Sequence, residues 1–441
     1  MKKAGGRQRK LSAGTVFMLA MLAVVLIGSA LVIGRLSSGA TVDLTKLNMR
    51  ALNFEADPSQ SETEKTAPRK ETENRQTAES KQEAQSTGEQ KPRVIQNEGA
   101  SFSLTIGGSF SLSGEVRKNS WNTDSKVADY ADVMMLLRPW IRSDINGVFL
   151  ENIISARSKA SDTVAPESAA ALLKEAGFGM AACGFAQAFA NGKDGVEDTL
   201  SALSRQGISA LGIRSAEDPG KPEVKTVNGV RVSFLQYTSG IPSKTRKNME
   251  RDETSGMVPE AEIDLISEEI DSARAQGAEA VIVLLNWGKT GKDPDKAQRE
   301  LAELIAQAGA DLIIGNGSHV PQSAEYLSGR DGGSVLCVWS LGSLLSGDRS
   351  NVRRMSGYLF HVTVKSNGQG GADILNPEYT PVYTWKYKQD GRWYYRCIAS
   401  DTETPDGMDN EQRKMMNKAA ETVETMLKDS PLTERGAGHA D

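Results

Sequence analysis

The stretch "GADLIIGNGSHVPQSAEY", Gly309 to Tyr326, reads as a helix end, an apolar strand and a glycine turn carrying an imidazole, His319. Histidine is scarce, with three copies in 441 residues, so one at a strand tip invites a chemical reading. An imidazole can ligate a transition metal or move a proton. Four other apolar runs end in words that hold polar groups. They are "IGGSFS", "FLENII" with Glu151, "CGFAQAFANG" with Gln187, and "LLNWGKTG" with Asn286 and Trp287. A carboxylate and an imidazole can serve as base and acid, and the amides of Gln187 and Asn286 can hold a polar ligand.

The elements that must position these residues follow from periodicity. Apolar runs such as "FGMAACGF", "VRVSFLQYT", "AEAVIVLLNWG" and "ADLIIGNG" alternate with amphipathic runs such as "APESAAALLKEAG", "EIDLISEEIDSARAQG" and "PDKAQRELAELIAQAG". Glycines at 177, 207, 277 and 309 close helix-like runs just before apolar ones, as C-terminal glycines do. Strands alternating with helices of this length indicate an α/β fold around a central sheet. The run "VADYADVMMLLRPWIRS" reads as helical. "GYLFHVTVK" and "WKYKQDGRWYYRCI" alternate with a period of two, which predicts an antiparallel finish with a hairpin at Asp390-Gly391. A helix over "DNEQRKMMNKAAETVETMLKD" follows. In open α/β sheets, ligands gather at the carboxyl ends of strands, where these polar words fall.

Composition limits the function classes. The net charge of −5 and the lack of a basic stripe interleaved with aromatics in the globular part argue against nucleic-acid binding. The three cysteines, Cys183, Cys337 and Cys397, are far apart, which excludes a Cys-x-x-Cys zinc ribbon or redox pair. Cys183 and Cys337 lie in apolar runs and read as buried, inert thiols. "NWGKTG" lacks the glycine a phosphate-cradling loop needs five residues before Gly288, where Val283 stands. His361 sits in an alternating strand and His439 in a polar tail, and spacing offers neither a partner. Trp385 and Trp393, with Tyr383, Tyr387, Tyr394 and Tyr395, read either as a half-buried hairpin covering a sheet edge or as a polymer-stacking face.

The chain opens with "MKKAGGRQRK", five positive charges, followed by an uncharged run from Leu11 to Gly34. About 20 helical residues at about 1.5 Å each cross a bilayer core of roughly 30 Å, so the run is long enough for an uncleaved anchor. Basic residues before it predict a cytoplasmic N-terminus and an extracellular remainder, in a single-pass cell-membrane protein. From about Asn53 to Glu98 the chain is rich in Glu, Lys, Gln, Ser and Thr and nearly free of large apolar residues, as a disordered hydrophilic linker is.

The strongest words are "NWG", then "AQRELAELIAQAGADLIIGNGSHV", then "WSLGS". In order, spacing and flanking residues they resemble the bacterial capsule-synthesis family of CapA type, associated with poly-γ-glutamate capsules. The resembling region runs from about Ser101 to Val364. The resemblance implies an α/β, calcineurin-like metallophosphoesterase-type sandwich with central sheets flanked by helices, preceded in this chain by one transmembrane helix. Carried over position by position, the family's Gly-Asp falls on Gly107-Gly108 and its Asn-Leu-Glu on Phe149-Leu150-Glu151. Its Asn-His-containing loop falls on Gly184 to Gly192, its His-Trp-Gly on Asn286-Trp287-Gly288, and its Gly-x-His-Pro-His ends in Gly317-Ser318-His319. Of the implied ligand and acid–base set, Glu151 and His319 alone survive. A two-metal site needs several anionic or imidazole ligands to offset ion dehydration, and this set falls short.

The expected organisation is a cytoplasmic arm (1–10), a membrane anchor (11–35), a hydrophilic linker (36–100), a CapA-like domain (101–400) and a C-terminal helix and tail (401–441). The resemblance implies a role in making or handling capsule, poly-γ-glutamate or another cell-envelope polymer, beside the capsule-synthesis machinery. With its ligand set incomplete, the resemblance implies a binding or scaffolding protein without cofactor, and Glu151, Gln187, Asn286, Trp287 and His319 are the candidates for the ligand cleft. The alternative is a hydrolase or ligase with a reorganised site, using Glu151 as base and His319 as acid, with or without a divalent metal.

Overall fold

The computed structural model describes residues 99–435, apart from 113, 120, 123–126, 129, 131, 218–219, 221, 253 and 401–402. The expected arm and membrane helix, nearly all of the linker, and His439 lie outside the described residues. Among the described residues no helix is long and apolar enough to cross a membrane.

The strands begin with β1 (Ser101–Phe110), β2 (Ile145–Leu150), β3 (Met180–Ala182) and β4 (Ser209–Leu211). Helices α1 (Ser168–Ala176) and α2 (Gly192–Arg205) precede β3 and β4. Strands β5 (Val224–Val227), β6 (Val230–Thr238), β7 (Ala280–Asn286) and β8 (Leu312–Asn316) follow, with α3 (Ser243–Arg251), α4 (Ile263–Ala275) and α5 (Lys296–Ala308) between β6 and β8. The chain continues through β9 (Ala324–Ser328), β10 (Ser334–Val338), β11 (Ser343–Leu345), β12 (Ser356–Ser366), β13 (Ala372–Gln389) and β14 (Arg392–Ala399). Helix α6 (Asn410–Leu427) and β15 (Thr433–Glu434) close it.

Two sheets result. The larger runs β14-β13-β12-β1-β2-β3-β4, with β11 beside β1 and β15 beside β13; the smaller runs β9-β10-β8-β7-β6-β5. Strands β1 to β4 are parallel, as are β6, β7, β8 and β10, while β12, β13 and β14 are antiparallel. One apolar layer lies between the sheets, built from Leu104, Ile106, Phe149 and Met180 on one side and Ile282, Leu284, Ile314 and Val338 on the other. The outer face of the larger sheet packs on α1 and α2, and that of the smaller sheet on α4 and α5. The layering of helices, sheet, sheet and helices is the expected sandwich, because each helix buries one apolar stripe and each sheet both faces.

The hairpin turn falls at Asp390-Gly391, both at positive φ (50° and 79°), as the dipeptide predicts. The run read as a helix over 127–143 is instead a two-residue strand at Val127–Ala128 and a 3-10 helix at Met135–Trp140. Pro139 has no N–H to donate, which disfavours a continuous α-helix there. His361 is not without partners. Its Nδ1 lies 2.8 Å from Thr105 Oγ1 and its Nε2 3.0 Å from Thr380 Oγ1, joining β12 to the strands on either side. Spacing missed these contacts because they come from strands far away in sequence. All three cysteines are buried and free, and burial pushes their thiols up from the usual range.

Candidate functional site

The site sits where strands of both sheets end, above the apolar layer between them. Residues on one face of a strand recur every second position. Leu284 and Ile314 face the inter-sheet layer, so Asn286 and Asn316, two residues on, face the same way at the strand tips. Phe149 and Glu151 repeat the pattern on the opposing sheet. β1 differs. Ile106 faces the inter-sheet layer, yet Phe110 faces the helices, because a β-bulge between Gly107 and Ser109 shifts the alternation by one.

Gly108, where the resemblance puts the family's aspartate, falls in that bulge. A side chain at Gly108 has no space: a Cβ there would lie 2.3 Å from the carbonyl oxygen of Gly342. The residue of β1 that reaches the site is Ser109. Its hydroxyl donates to Glu151 Oε1 at 2.8 Å. Asn286 Nδ2 donates to the same oxygen at 3.1 Å, and His319 Nε2 stands 3.3 Å from Glu151 Oε2. One carboxylate oxygen thus accepts two hydrogen bonds from the protein itself, and the other faces the imidazole.

The network continues inward. Asn316 Nδ2 donates to Ser109 Oγ at 2.8 Å, Ser340 Oγ donates to Asn316 Oδ1 at 3.2 Å, and Ser318 Oγ lies 3.0 Å from Ser340 Oγ. Ser109, Asn316, Ser318 and Ser340 are all buried. Strand parity could have found Asn316 and Ser340, two residues beyond Ile314 and Val338. Ser109 was hidden by the bulge.

His319 adopts a left-handed backbone (φ 57°), uncommon for a residue with a side chain, and its carbonyl accepts from Ser343 Oγ at 3.3 Å. The turn before it is closed in. A Cβ at Gly317, where the resemblance implies a histidine, would meet Trp287 O at 2.7 Å and Trp287 N at 2.9 Å.

The five candidates of the sequence reading divide. Glu151, Asn286 and His319 are brought together. Gln187 lines the same cleft, exposed on its rim. Its loop begins at Gly184, whose N–H donates to Gln236 Oε1 at 2.7 Å and whose carbonyl accepts from Gln236 Nε2 at 2.6 Å. Trp287 borders the cleft, but its indole is buried, stacks on Trp339 at 5.6 Å and donates from Nε1 to Trp339 O at 3.1 Å. That ring belongs to the core beneath α5 rather than to a ligand. The cleft, about 390 Å³, is completed by Ser111, Asp162, Thr163, Phe185 and Thr290 among others.

The donor set does not fit a pair of hard or transition-metal cations. Among the described residues no group of three or more His, Cys, Asp and Glu side chains is placed to hold a metal ion. Glu151 is the lone carboxylate in the network, and Ser109 and Asn286 already donate to it.

The family model for bacterial capsule synthesis protein PGA_cap matches residues 103–348, more than half of the chain. The chain belongs to this family. It is 29% identical over 188 residues to the PGA biosynthesis protein CapA of Bacillus subtilis (strain 168), a match covering 42% of this chain and 46% of that protein. It is 27% identical over 214 residues to the capsule biosynthesis protein CapA of Bacillus anthracis, covering 48% and 50%. The matches thus span about half the length of these curated relatives. Two solved structures are similar in part. A phosphatase from Mycoplasma pneumoniae matches with TM-score 0.38 and 11% identity over 64% of this chain and 94% of its own. The calcineurin-like phosphoesterase YfkN from Bacillus subtilis matches with TM-score 0.34 and 12% identity over 74% and 99%. Overlap this partial carries no weight for the site.

Proposed function

We propose that this capsule-synthesis family member is a membrane-anchored, extracellular protein that binds a cell-envelope polymer without catalysing its turnover. Calcineurin-like ancestry enters this reading through the sequence resemblance, and the anchor through the uncharged run from Leu11 to Gly34. Supporting the loss of catalysis is one observation above others: the carboxylate at the strand tips is tied down by Ser109, Asn286 and His319. A hydrolytic centre of two metals would need that carboxylate, and more like it, turned toward the ions.

What remains is a cleft lined by amide, hydroxyl and imidazole groups and by the carboxylates of Glu151 and Asp162, with Phe185 supplying an apolar wall. Its amide and hydroxyl groups suit a ligand of repeated amides, the backbone chemistry of the poly-γ-glutamate that the family resemblance implies. Titration of the purified full chain with short γ-glutamate oligomers should give saturable binding, weakened several-fold by Gln187→Ala. No binding, or binding indifferent to Gln187, would contradict the cleft assignment.

A second reading has one observation in its favour, the 3.3 Å approach of His319 Nε2 to Glu151 Oε2. An acid–base pair of this kind could serve a reorganised hydrolase or ligase. Turnover of a phosphoester or polyglutamate substrate that vanishes on His319→Ala would establish it; no turnover above a Glu151→Ala control removes it.

A further inference from the structure

The hairpin of β13 and β14 lies beyond the family-matched residues 103–348 and carries a surface the cleft does not explain. Between Tyr383 and Arg396 the chain has four cations, Lys386, Lys388, Arg392 and Arg396, against one acid, Asp390, although the whole protein is net negative. Register places Lys386 opposite Tyr395 and Lys388 opposite Trp393, on one face. Both ammonium groups lie over Trp393, at 4.9 and 5.7 Å from the ring centroid, and Lys386 also lies 5.4 Å from that of Tyr395. Trp393 is 42% exposed, one of few large apolar side chains left in solvent.

The 348–354 loop lies between this face and the cleft. Arg349 lies over Tyr395 at 5.3 Å and donates from Nη1 to Thr384 O at 2.7 Å. One residue earlier, Asp348 pairs with Arg354 at 2.7 Å. Arg354 Nη1 would stand 3.9 Å from a Cβ on Gly291, whose N–H donates to Ser318 O beside His319. Thr290, next to Gly291, lines the cleft.

We propose that the Lys386–Lys388–Trp393 face is a second binding surface, which holds a linear polycarboxylate whose chain passes over the 348–354 loop into the cleft. This rests on the reading that the chain handles an anionic envelope polymer. Charge complementarity selects a polyanion, and the cation–ring pairs hold the ammonium groups in fixed places, so that less freedom is lost on binding. A polymer is favoured over a membrane surface because the neighbouring rings, Trp385, Tyr387 and Tyr395, are buried, leaving one indole to meet lipid. Past Tyr383, β13 pairs with β14 alone among the described residues; lysines on such an open stretch also deter strand pairing, and the test separates that role.

The full chain in detergent micelles is titrated with long poly-L-glutamate, with short γ-glutamate oligomers and with phosphatidylglycerol vesicles. Lys386→Ala/Lys388→Ala is expected to weaken long-polymer binding roughly tenfold, the scale of two surface charge contacts, and to flatten its salt dependence. Trp393→Ala should weaken it several-fold, and both variants should leave short-oligomer binding as it was. Thermal melting reports whether the variants stay folded, as expected for exposed Lys388 and Trp393 and half-buried Lys386. Equal polymer binding by wild type and double variant overturns the proposal, whether or not the variant aggregates. So does a loss seen with vesicles and not with polymer. If Gln187→Ala leaves oligomer binding unchanged while the hairpin variants still lose the polymer, the cleft reading fails and this surface stands.

Discussion

Glu151 illustrates how neighbours decide what a carboxylate can do. It is buried, and Ser109, Asn286 and His319 surround its two oxygens. Asn316 holds that arrangement from beneath, donating to Ser109 and accepting from Ser340. Asn316→Ala would leave two buried hydroxyls short of a partner. It should cost about 1–3 kcal/mol, read as a lower midpoint in urea denaturation with an unchanged slope. Gln187→Ala, on the exposed rim, should leave the midpoint where it is. Asn316 begins an Asn-Gly-Ser triplet, a glycosylation pattern too short to weigh. Its side chain is wholly buried and bonded within the network.

At the scale of elements, the pattern of apolar residues made most of the sandwich legible, because strand and helix periods differ and glycines mark the helix ends. Short edge strands such as Ser209–Leu211 and Val224–Val227 were not legible, since three or four residues carry too little period. The bulge in β1 was hidden for another reason. It depends on the close approach of Gly108 to Gly342, which no local pattern encodes. Gly108→Ala should therefore destabilise by roughly 1–3 kcal/mol or more, since its Cβ meets backbone that cannot rotate away. Equal urea midpoints for variant and wild type would contradict the bulged register of β1.

His361 is another element-level device, a neutral clamp across β1, β12 and β13. Burial pushes its pKa down to about 3 from the ordinary 6.5. Between those values the unfolded chain takes up a proton that the folded one refuses. Stability is therefore full above pH 6.5 and falls as the pH drops toward 3, by as much as roughly 3–5 kcal/mol. His361→Gln should flatten this slope when denaturation is compared at pH 7 and pH 4.5.

At the scale of the molecule, the family segment ends at 348, but the fold does not. β12 and β13 complete the larger sheet, and α6 packs onto them with Val423 and Leu427 in the layer between the sheets and Met416 under the hairpin. Deleting 410–435 should uncover that apolar surface, at a cost on the order of 5 kcal/mol, and yield aggregated or unfolded protein in size-exclusion chromatography. What the whole arrangement does turns on the strand tips, where one carboxylate faces the protein's own donors. The decisive measurement is bound metal after equilibrating the purified full chain with manganese, zinc and iron(II) and removing free ions. Far less than one ion per chain is predicted. Two tightly held ions per chain, lost on Glu151→Ala, would contradict a site closed to metals.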